Sequence, residues 1–321
     1  MTLKFVAGWC GERDESVFFS QNNHPSTGTN VYLQELILEL KEKFFNEDLE
    51  VHFNVQPSVS KKQKILVLLE NVAIRPQNYF YRFVNYKRIF GWDLSLAHLK
   101  NFHYVRYPHD YTVGKYNPDR RIEYCMISSN RNLLLGNKKL SLYNKRQEVI
   151  THFDYAETPF ELYGSGWGSR YVRPGLIDAI LTGFSRRICK SKEVNLFPYK
   201  GRLKDKQGLL NEATFNFCYE NISCYEGYVS EKIWDAIAAG CIPVYWPSWS
   251  VPEEYVPKWA YVDASKYSTV YNLIKYLESI SVQERLDWQK NLLKLAKEKE
   301  KFMQSENYVR RISNEIHQCL K

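Results

Sequence analysis

The chain has 321 residues, 44% of them hydrophobic, too long for one ordinary core and enough to bury two. Forty-four Lys and Arg against 36 Asp and Glu leave a formal net charge of +8, which favours anionic partners without choosing among a nucleotide diphosphate, a membrane surface and nucleic acid. Seven cysteines, an odd count with no Cys-x-x-Cys pair, read as buried free thiols in a reducing compartment, and no Cys/His spacing of a metal site occurs.

In chain order, Leu3–Ala7 reads as a first strand. Tyr32–Phe45 reads as an amphipathic helix, with Leu33, Leu36, Ile37, Leu40 and Phe44 on one face. Leu49–Phe53 and Lys64–Leu69 read as further strands. The most continuous aliphatic run of this half, Ile65–Leu69, is far short of a membrane span, and Met1–Val6 carries neither a signal-peptide core nor a cleavage site. A polar stretch with two prolines and a glycine runs from Tyr107 to Arg120 and marks a domain boundary. Beyond it come strand Ile122–Ile127, helix Leu142–Phe153, strand Phe160–Tyr163, helix Gly175–Thr182 and strand Thr214–Tyr219. Helix Ser230–Ala239, strands Ile242–Tyr245 and Tyr261–Val262, and helix Val270–Ser279 follow. The alternation predicts an α/β fold of two Rossmann-like domains facing across a cleft, residues 1–117 and 118–281. Residues 282–321 form a Lys-rich helical tail expected to pack back on the first domain, with peripheral membrane contact as the alternative use of its basic face.

The most informative segment is Phe215-Asn216-Phe217-Cys218-Tyr219-Glu220-Asn221, then Tyr228-Val229-Ser230-Glu231-Lys232, then Ala239-Gly240-Cys241-Ile242-Pro243-Val244-Tyr245. It reads as strand, loop, helix and strand, with Ser230 placed as N-cap. A helix N-terminus offers unpaired N–H groups and the positive end of a dipole, which suits a phosphate. Lys232 adds a full charge, and Glu231 can accept from ribose hydroxyls. An ordinary βαβ unit with a capped helix accounts for the apolar pattern, but not for the polar groups gathered at the strand's C-terminal edge, where ligands of open α/β sheets bind.

This segment resembles the signature of the α-1,3-fucosyltransferase family, glycosyltransferase family 10. Tyr199–Lys206, Tyr255-Val256-Pro257 and Phe160–Trp167 are similar to it as well, so the resemblance spans about Ile122 to Tyr267 and is faint over the first domain. Ile222 departs from it where the family usually has Ser, and Cys224 and Glu226 make the loop 223–227 unusual. The resemblance implies a GT-B type glycosyltransferase with GDP-fucose as donor and a glycan as acceptor, transferring fucose in α-1,3 or α-1,4 linkage. It implies that Tyr228, Glu231 and Lys232 contact the nucleotide, Glu231 on the ribose and Lys232 on the diphosphate, with Glu220 and Asn221 lining the site. The family's phosphate-binding arginine best fits Arg146; from the residues alone, Arg146 reads as a solvated helix residue.

Cleavage of the donor bond develops negative charge on the diphosphate. The chain contains no Asp-x-Asp that would hold a metal there, so Arg146, Lys232 and the helix N-terminus are expected to stabilise that charge, with no cofactor required. Glu231, at the start of the helix where a Glu-x7-Glu pair would end, has no glutamate eight residues away, which favours inversion by direct displacement. That mechanism needs one general base. Glu70, in Leu69-Glu70-Asn71 at the end of a strand, is the candidate in a setting similar to the family's. A structural carboxylate is the plain alternative, and Glu12 is the reserve. The aromatic segment Tyr79–Trp92 is expected to serve the acceptor. Gly164-Ser165-Gly166-Trp167-Gly168 reads as a turn rather than a dinucleotide loop. With Met1 as the true start the protein is expected in the cytoplasm or peripherally on a membrane; a Golgi lumen location requires an anchor removed from the N-terminus. Another nucleotide sugar, a nucleic-acid acceptor, and a non-catalytic glycan- or nucleotide-binding protein are the rival readings, nucleic acid the weaker partner.

Overall fold

The structure is a computed structural model that describes residues 3–7, 31–70, 72–73, 75–130, 140–167, 198–249 and 251–321. Two compact units divide the chain, Met1–Asp110 together with Glu300–Lys321, and Tyr111–Lys299. The class is α/β, as the alternation predicts.

In the first unit, strands β1 (Lys4–Ala7), β2 (Leu49–Phe53), β3 (Gln63–Val67), β4 (Tyr86–Gly91) and β5 (Phe102–Tyr104) pair in that order, all parallel, among the described residues. β4 and β5 escape the sequence reading because β4 sets Lys87 and Arg88 among its apolar residues and β5 has only three residues with His103 at its centre. Helix α1 (Val31–Phe44) covers one sheet face with the stripe the periodicity predicts, burying Leu33, Leu36, Ile37, Leu40 and Phe44. These side chains share one core with Val51, Phe53, Ile65 and Val67 of the sheet and with Tyr308, Ile312 and Ile316 near the C-terminus. The opposite face of β2 buries Glu50 and His52, a polar pair that β-alternation places side by side.

In the second unit, α2 (Tyr143–Ala156), α3 (Lys206–Glu212) and α4 (Glu231–Ala238) accompany a parallel sheet of β6 (Ile122–Ile127), β7 (Glu161–Tyr163), β8 (Tyr199–Gly201), β9 (Ala213–Phe217), β10 (Ile242–Tyr245) and β11 (Val262–Asp263). Its order is β11-β10-β9-β6-β7-β8. The chain thus lays down β6, β7 and β8 in one direction and then returns to the far side of β6 for β9, β10 and β11. The gap between β6 and β9 is therefore a topological switch point, where the connections leave in opposite directions and open a crevice at the strands' C-terminal ends. The strands predicted at Ile122–Ile127 and Ile242–Tyr245 occur at those bounds; the helix predicted at 175–182 lies outside the described residues, as does Glu12.

The final region holds α5 (Val270–Ser279), α6 (Val282–Met303) and α7 (Ser305–Leu320), the last two separated at Gln304. α7 lies in the first unit and packs on α1, with Tyr32 and Tyr308 edge to face at 5.3 Å. Leu292 and Leu295 are buried, whereas Phe302 stays 44% exposed, with the Arg106 guanidinium 4.5 Å from its ring centre.

Candidate active site

β9 is buried along its whole length, Ala-Thr-Phe-Asn-Phe, because both faces of this central strand are covered. Phe215 and Phe217 belong to an aromatic cluster with Tyr124, Phe153 and Phe160, in which Phe153 and Phe160 stack at 4.3 Å. This packing fixes the end of β9, and from it the chain emerges as Tyr219-Glu220-Asn221 beside the switch point. The loop that follows is pinned to its neighbours. Leu142 N–H donates to the Asn221 carbonyl at 3.1 Å, Ser223 N–H to Leu140 at 2.7 Å, and Cys224 N–H to Ser248 at 2.6 Å. Cys224 and Gly227 turn with positive φ, 66° and 84°, so this unusual loop is a tight one. Ile222 is fully buried, and the Asn221 amide is engaged on both sides, so the sequence Asn221-Ile222-Ser223 offers no free glycosylation site.

Arg146 stands in the first turn of α2 and is 3% exposed. Its guanidinium donates to the Tyr219 carbonyl at 2.6 Å, to Asn221 Oδ1 at 2.8 Å and to Ser128 Oγ at 3.1 Å, and lies 4.7 Å from the Tyr143 ring centre. It therefore bolts the end of β9 to the end of β6 across the switch point. This corrects the solvated-helix reading. Burial pulls the guanidinium pKa down, opposed by Tyr143, Glu220 and Tyr228, but an arginine remains a cation there. Asn221 is the shared partner: it accepts from Arg146 and donates to the Tyr228 hydroxyl at 3.2 Å, and Tyr228 is itself buried.

Glu220 is fully buried. Its carboxylate accepts from Ser230 N–H at 2.8 Å, from the Ser230 hydroxyl at 2.8 Å and 2.9 Å, and from the Tyr245 hydroxyl at 2.8 Å. The Lys232 ammonium is 3.6 Å from Glu220 and 3.8 Å from Glu231, and donates to Ser230 Oγ at 2.9 Å. Burial would lower the Lys232 pKa, but Glu231 and Glu220 outweigh it together, so the net shift is upward and the ammonium is charged throughout the physiological range. Ser230 occupies the N-cap position of α4, yet its side chain does not cap the helix; the hydroxyl turns to Glu220 instead. That corrects the simple capping expectation, and the reason is competition, since a buried carboxylate is a stronger acceptor than the hydroxyl is a cap.

The expectation that Glu220 lines the ligand site meets a carboxylate with no exposed surface, whereas Lys232 and Glu231 keep 21% and 33% of their side chains exposed. Five predicted residues, Arg146, Glu220, Asn221, Tyr228 and Lys232, form one connected cluster at the β6–β9 edge, with Glu231 beside Lys232. Glu70 lies in the first unit. It follows β3, its N–H donates to Asn54 Oδ1 at 3.0 Å, and its carbonyl accepts from Asn78 Nδ2 at 2.5 Å. Asn54 holds this corner with a φ of 60°, and the Glu70 carboxylate supports the charge of Arg75 against burial.

Sequence reasoning missed Ser128 and Tyr245. Ser128 was signalled by the polar run Ser128-Ser129-Asn130 directly after an apolar strand. Tyr245, fully buried in β10, carried no signal of its own. The described part of the glycine-rich run, residues 164–167, bends away from β7; Gly168 lies outside the described residues. Gly164 has a φ of 142°, and Trp167 Nε1 donates to the Ser128 carbonyl at 2.7 Å, tying the bend to the loop that holds Arg146. No group of three or more His, Cys, Asp and Glu suited to a metal ion occurs among the described residues.

Against known proteins, residues 186–317 match the family model described as glycosyltransferase family 10 (fucosyltransferase) C-term. The α-(1,3)-fucosyltransferase FucT of Helicobacter pylori is 40% identical over 80 residues, a match covering 24% of this chain and 16% of that protein's length. A crystal structure of an α1,3-fucosyltransferase superposes with a TM-score of 0.50 at 16% identity, over 90% of this chain and 81% of that one. The structure of TarM gives 0.51 at 11% identity, over 87% and 57%. At such identities the structural likeness speaks for the fold, which is of the GT-B type shared by these glycosyltransferases. Residues 186–317 are thus similar to the C-terminal domain of glycosyltransferase family 10, the fucosyltransferase family.

Proposed function

We propose that the chain transfers fucose from GDP-fucose to a glycan hydroxyl in α-1,3 or α-1,4 linkage, with inversion at the anomeric carbon. The observation that carries this reading is the convergence of Arg146, Lys232 and the N-terminus of α4 at the switch point of a family 10 domain. Three sources of positive potential meet there on the edge where parallel sheets bind nucleotides, and the leaving diphosphate is where negative charge grows. Lys232 meets that charge directly. Arg146 acts from behind, through its field and by holding Asn221 in place. Glu231, one-third exposed at the helix start, accepts from the ribose hydroxyls. Charge supplied by side chains and backbone makes a divalent metal non-essential. Glu70 takes the proton of the acceptor hydroxyl.

A thermal-shift panel of GDP, UDP, CMP, ADP and GDP-fucose in EDTA, on wild type and Lys232→Ala, tests this. A ligand at about 100 times its Kd stabilises the native state by roughly 2.7 kcal/mol. The expected result is a GDP-selective shift that survives EDTA and weakens in the variant, by about 10- to 150-fold in Kd for loss of one charge-assisted contact. A UDP- or CMP-selective shift would overturn the fucose assignment, and no shift with any nucleotide would overturn the transferase reading.

A further inference from the structure

We propose that Glu220 is a positioning residue for the donor site: with Ser230 and Tyr245 it forms a buried hub that aims the Lys232 ammonium and keeps the first turn of α4 open to an anion. This deepens the donor-site reading given above and rests on it.

The hub is closed to ligand. Oε1 of Glu220 receives Ser230 N–H and the Tyr245 hydroxyl, each at 2.8 Å; Oε2 lies 2.8 Å from the Ser230 hydroxyl and 3.6 Å from the Lys232 ammonium. A carboxylate has about four lone-pair sites; three hydrogen bonds occupy three of them, and the Lys232 ammonium stands beside Oε2 as an ion pair. With no exposed surface, Glu220 reaches a substrate only through the groups it holds.

The direction of the chain follows from proton counting. Ser230 has one hydroxyl hydrogen, and an ionised carboxylate is the strongest acceptor near it, so the hydroxyl donates to Glu220. Its lone pairs then accept from Lys232 at 2.9 Å. The sequence Lys232 to Ser230 to Glu220 bends the lysine back over the helix start, two residues behind its own position. It also diverts the Ser230 side chain from the first-turn amides, which the N-cap residue would otherwise satisfy.

The arrangement is costly as a purely structural device. A cation at a helix N-terminus opposes the helix dipole. Arg146 adds a second cation close enough to depress the Lys232 pKa. Burying Glu220 costs solvation as well. Glu220 offsets the two cations in the empty site, so that positive charge is assembled before the diphosphate arrives. The charged and titratable groups facing Lys232 are Glu231, Glu220, Arg146, Tyr143 and Cys218; those facing Glu220 include Lys232, Arg146, Tyr245 and Cys218.

The test uses the full chain with Ser230→Ala, Ser230→Thr, Glu220→Gln and the milder Tyr245→Phe. Two readouts are taken: GDP affinity by calorimetry in EDTA across alkaline pH, and the Lys232 titration followed by NMR of 15N-labelled lysine. Ser230→Ala is expected to weaken GDP about tenfold, and Ser230→Thr, which keeps the hydroxyl, to stay within about threefold of wild type. In Glu220→Gln the Lys232 midpoint falls and the alkaline loss of GDP binding moves to lower pH, a response that a role in folding alone does not produce. Tyr245→Phe keeps the charge and the fold, and is expected to weaken GDP by about threefold to tenfold, so the proposal stays testable if Glu220→Gln does not fold. GDP affinity and Lys232 midpoint unchanged in Ser230→Ala and Tyr245→Phe would overturn it. Wild type that binds no nucleotide, while the Lys232 midpoint still moves, would overturn the donor reading and the positioning role with it.

Discussion

Arg146→Met tests whether this residue is a structural bolt or the solvated helix residue that its sequence setting alone suggests. Methionine matches much of the arginine's length, so packing changes little, while three hydrogen bonds vanish: to the Tyr219 carbonyl at 2.6 Å, Asn221 Oδ1 at 2.8 Å and Ser128 Oγ at 3.1 Å. The hydroxyl can turn to another acceptor, but the buried carbonyl and amide oxygen lose this donor, at about 1–3 kcal/mol each. The expected loss is therefore about 2–6 kcal/mol. At roughly 2–4 °C per kcal/mol for a domain of this size, the thermal midpoint of the second unit falls by at least about 4 °C. Differential scanning calorimetry at neutral pH reads this directly. A solvated helix residue would change stability by no more than about 0.5 kcal/mol, so a midpoint within about 2 °C of wild type would refute the structural bolt.

Glu70→Gln is expected to lower kcat by about 10²–10⁴-fold; the backbone bonds of Glu70 to Asn54 and Asn78 remain, and the support its carboxylate gives the Arg75 charge is lost, so an unaltered kcat would return Glu70 to a structural role. Gly164→Ala should be severely destabilising, since its Cβ would lie 1.7 Å from the Ser128 carbonyl oxygen at a φ of 142°. Gly201→Ala meets no atom within 4 Å and carries only the strain of a φ of 97°, about 1–3 kcal/mol, so equal melting of the two variants would contradict the geometry. Acidification should weaken the first unit through the buried His52–Glu50 pair, which lies at 3.2 Å. Burial lowers the His52 pKa below 6.5, so its contribution is complete above that value and is lost as pH falls through the folded pKa. Burial raises the pKa of Glu50, but Ser58, His52 and Lys4 outweigh it; the net lowering gives stability present above 4.5 and lost on further acidification. Melting curves from about pH 7.5 to about pH 5.5 should therefore fall in wild type and flatten in His52→Gln.

Much of this was readable without coordinates, for reasons specific to each element. The stripe of α1 and the apolar strands β2, β6 and β10 announce themselves through period and β-branched or aromatic content, because burial of one face is what makes them form. The cluster Glu220, Asn221, Tyr228, Glu231 and Lys232 was legible because a strand end, a loop and a helix start adjacent in sequence must also be adjacent in space. β4 and β5 were not legible, since a strand interrupted by charged residues and a strand of three residues draw their stability from neighbours in the sheet rather than from their own pattern.

What sequence alone determined, then, is the α/β class, the residues gathered at the end of β9 and the start of α4, and the family they resemble. Tertiary structure decided how those residues divide their work. Arg146 is 75 residues from Asn221, and Tyr245 is 25 from Glu220; only the return of the chain across β6 and the pairing of β9 with β10 bring them together. Once there, desolvation ranks the acceptors, so Ser230 serves a buried carboxylate instead of its own helix, and Lys232 is left as the cation turned toward the site.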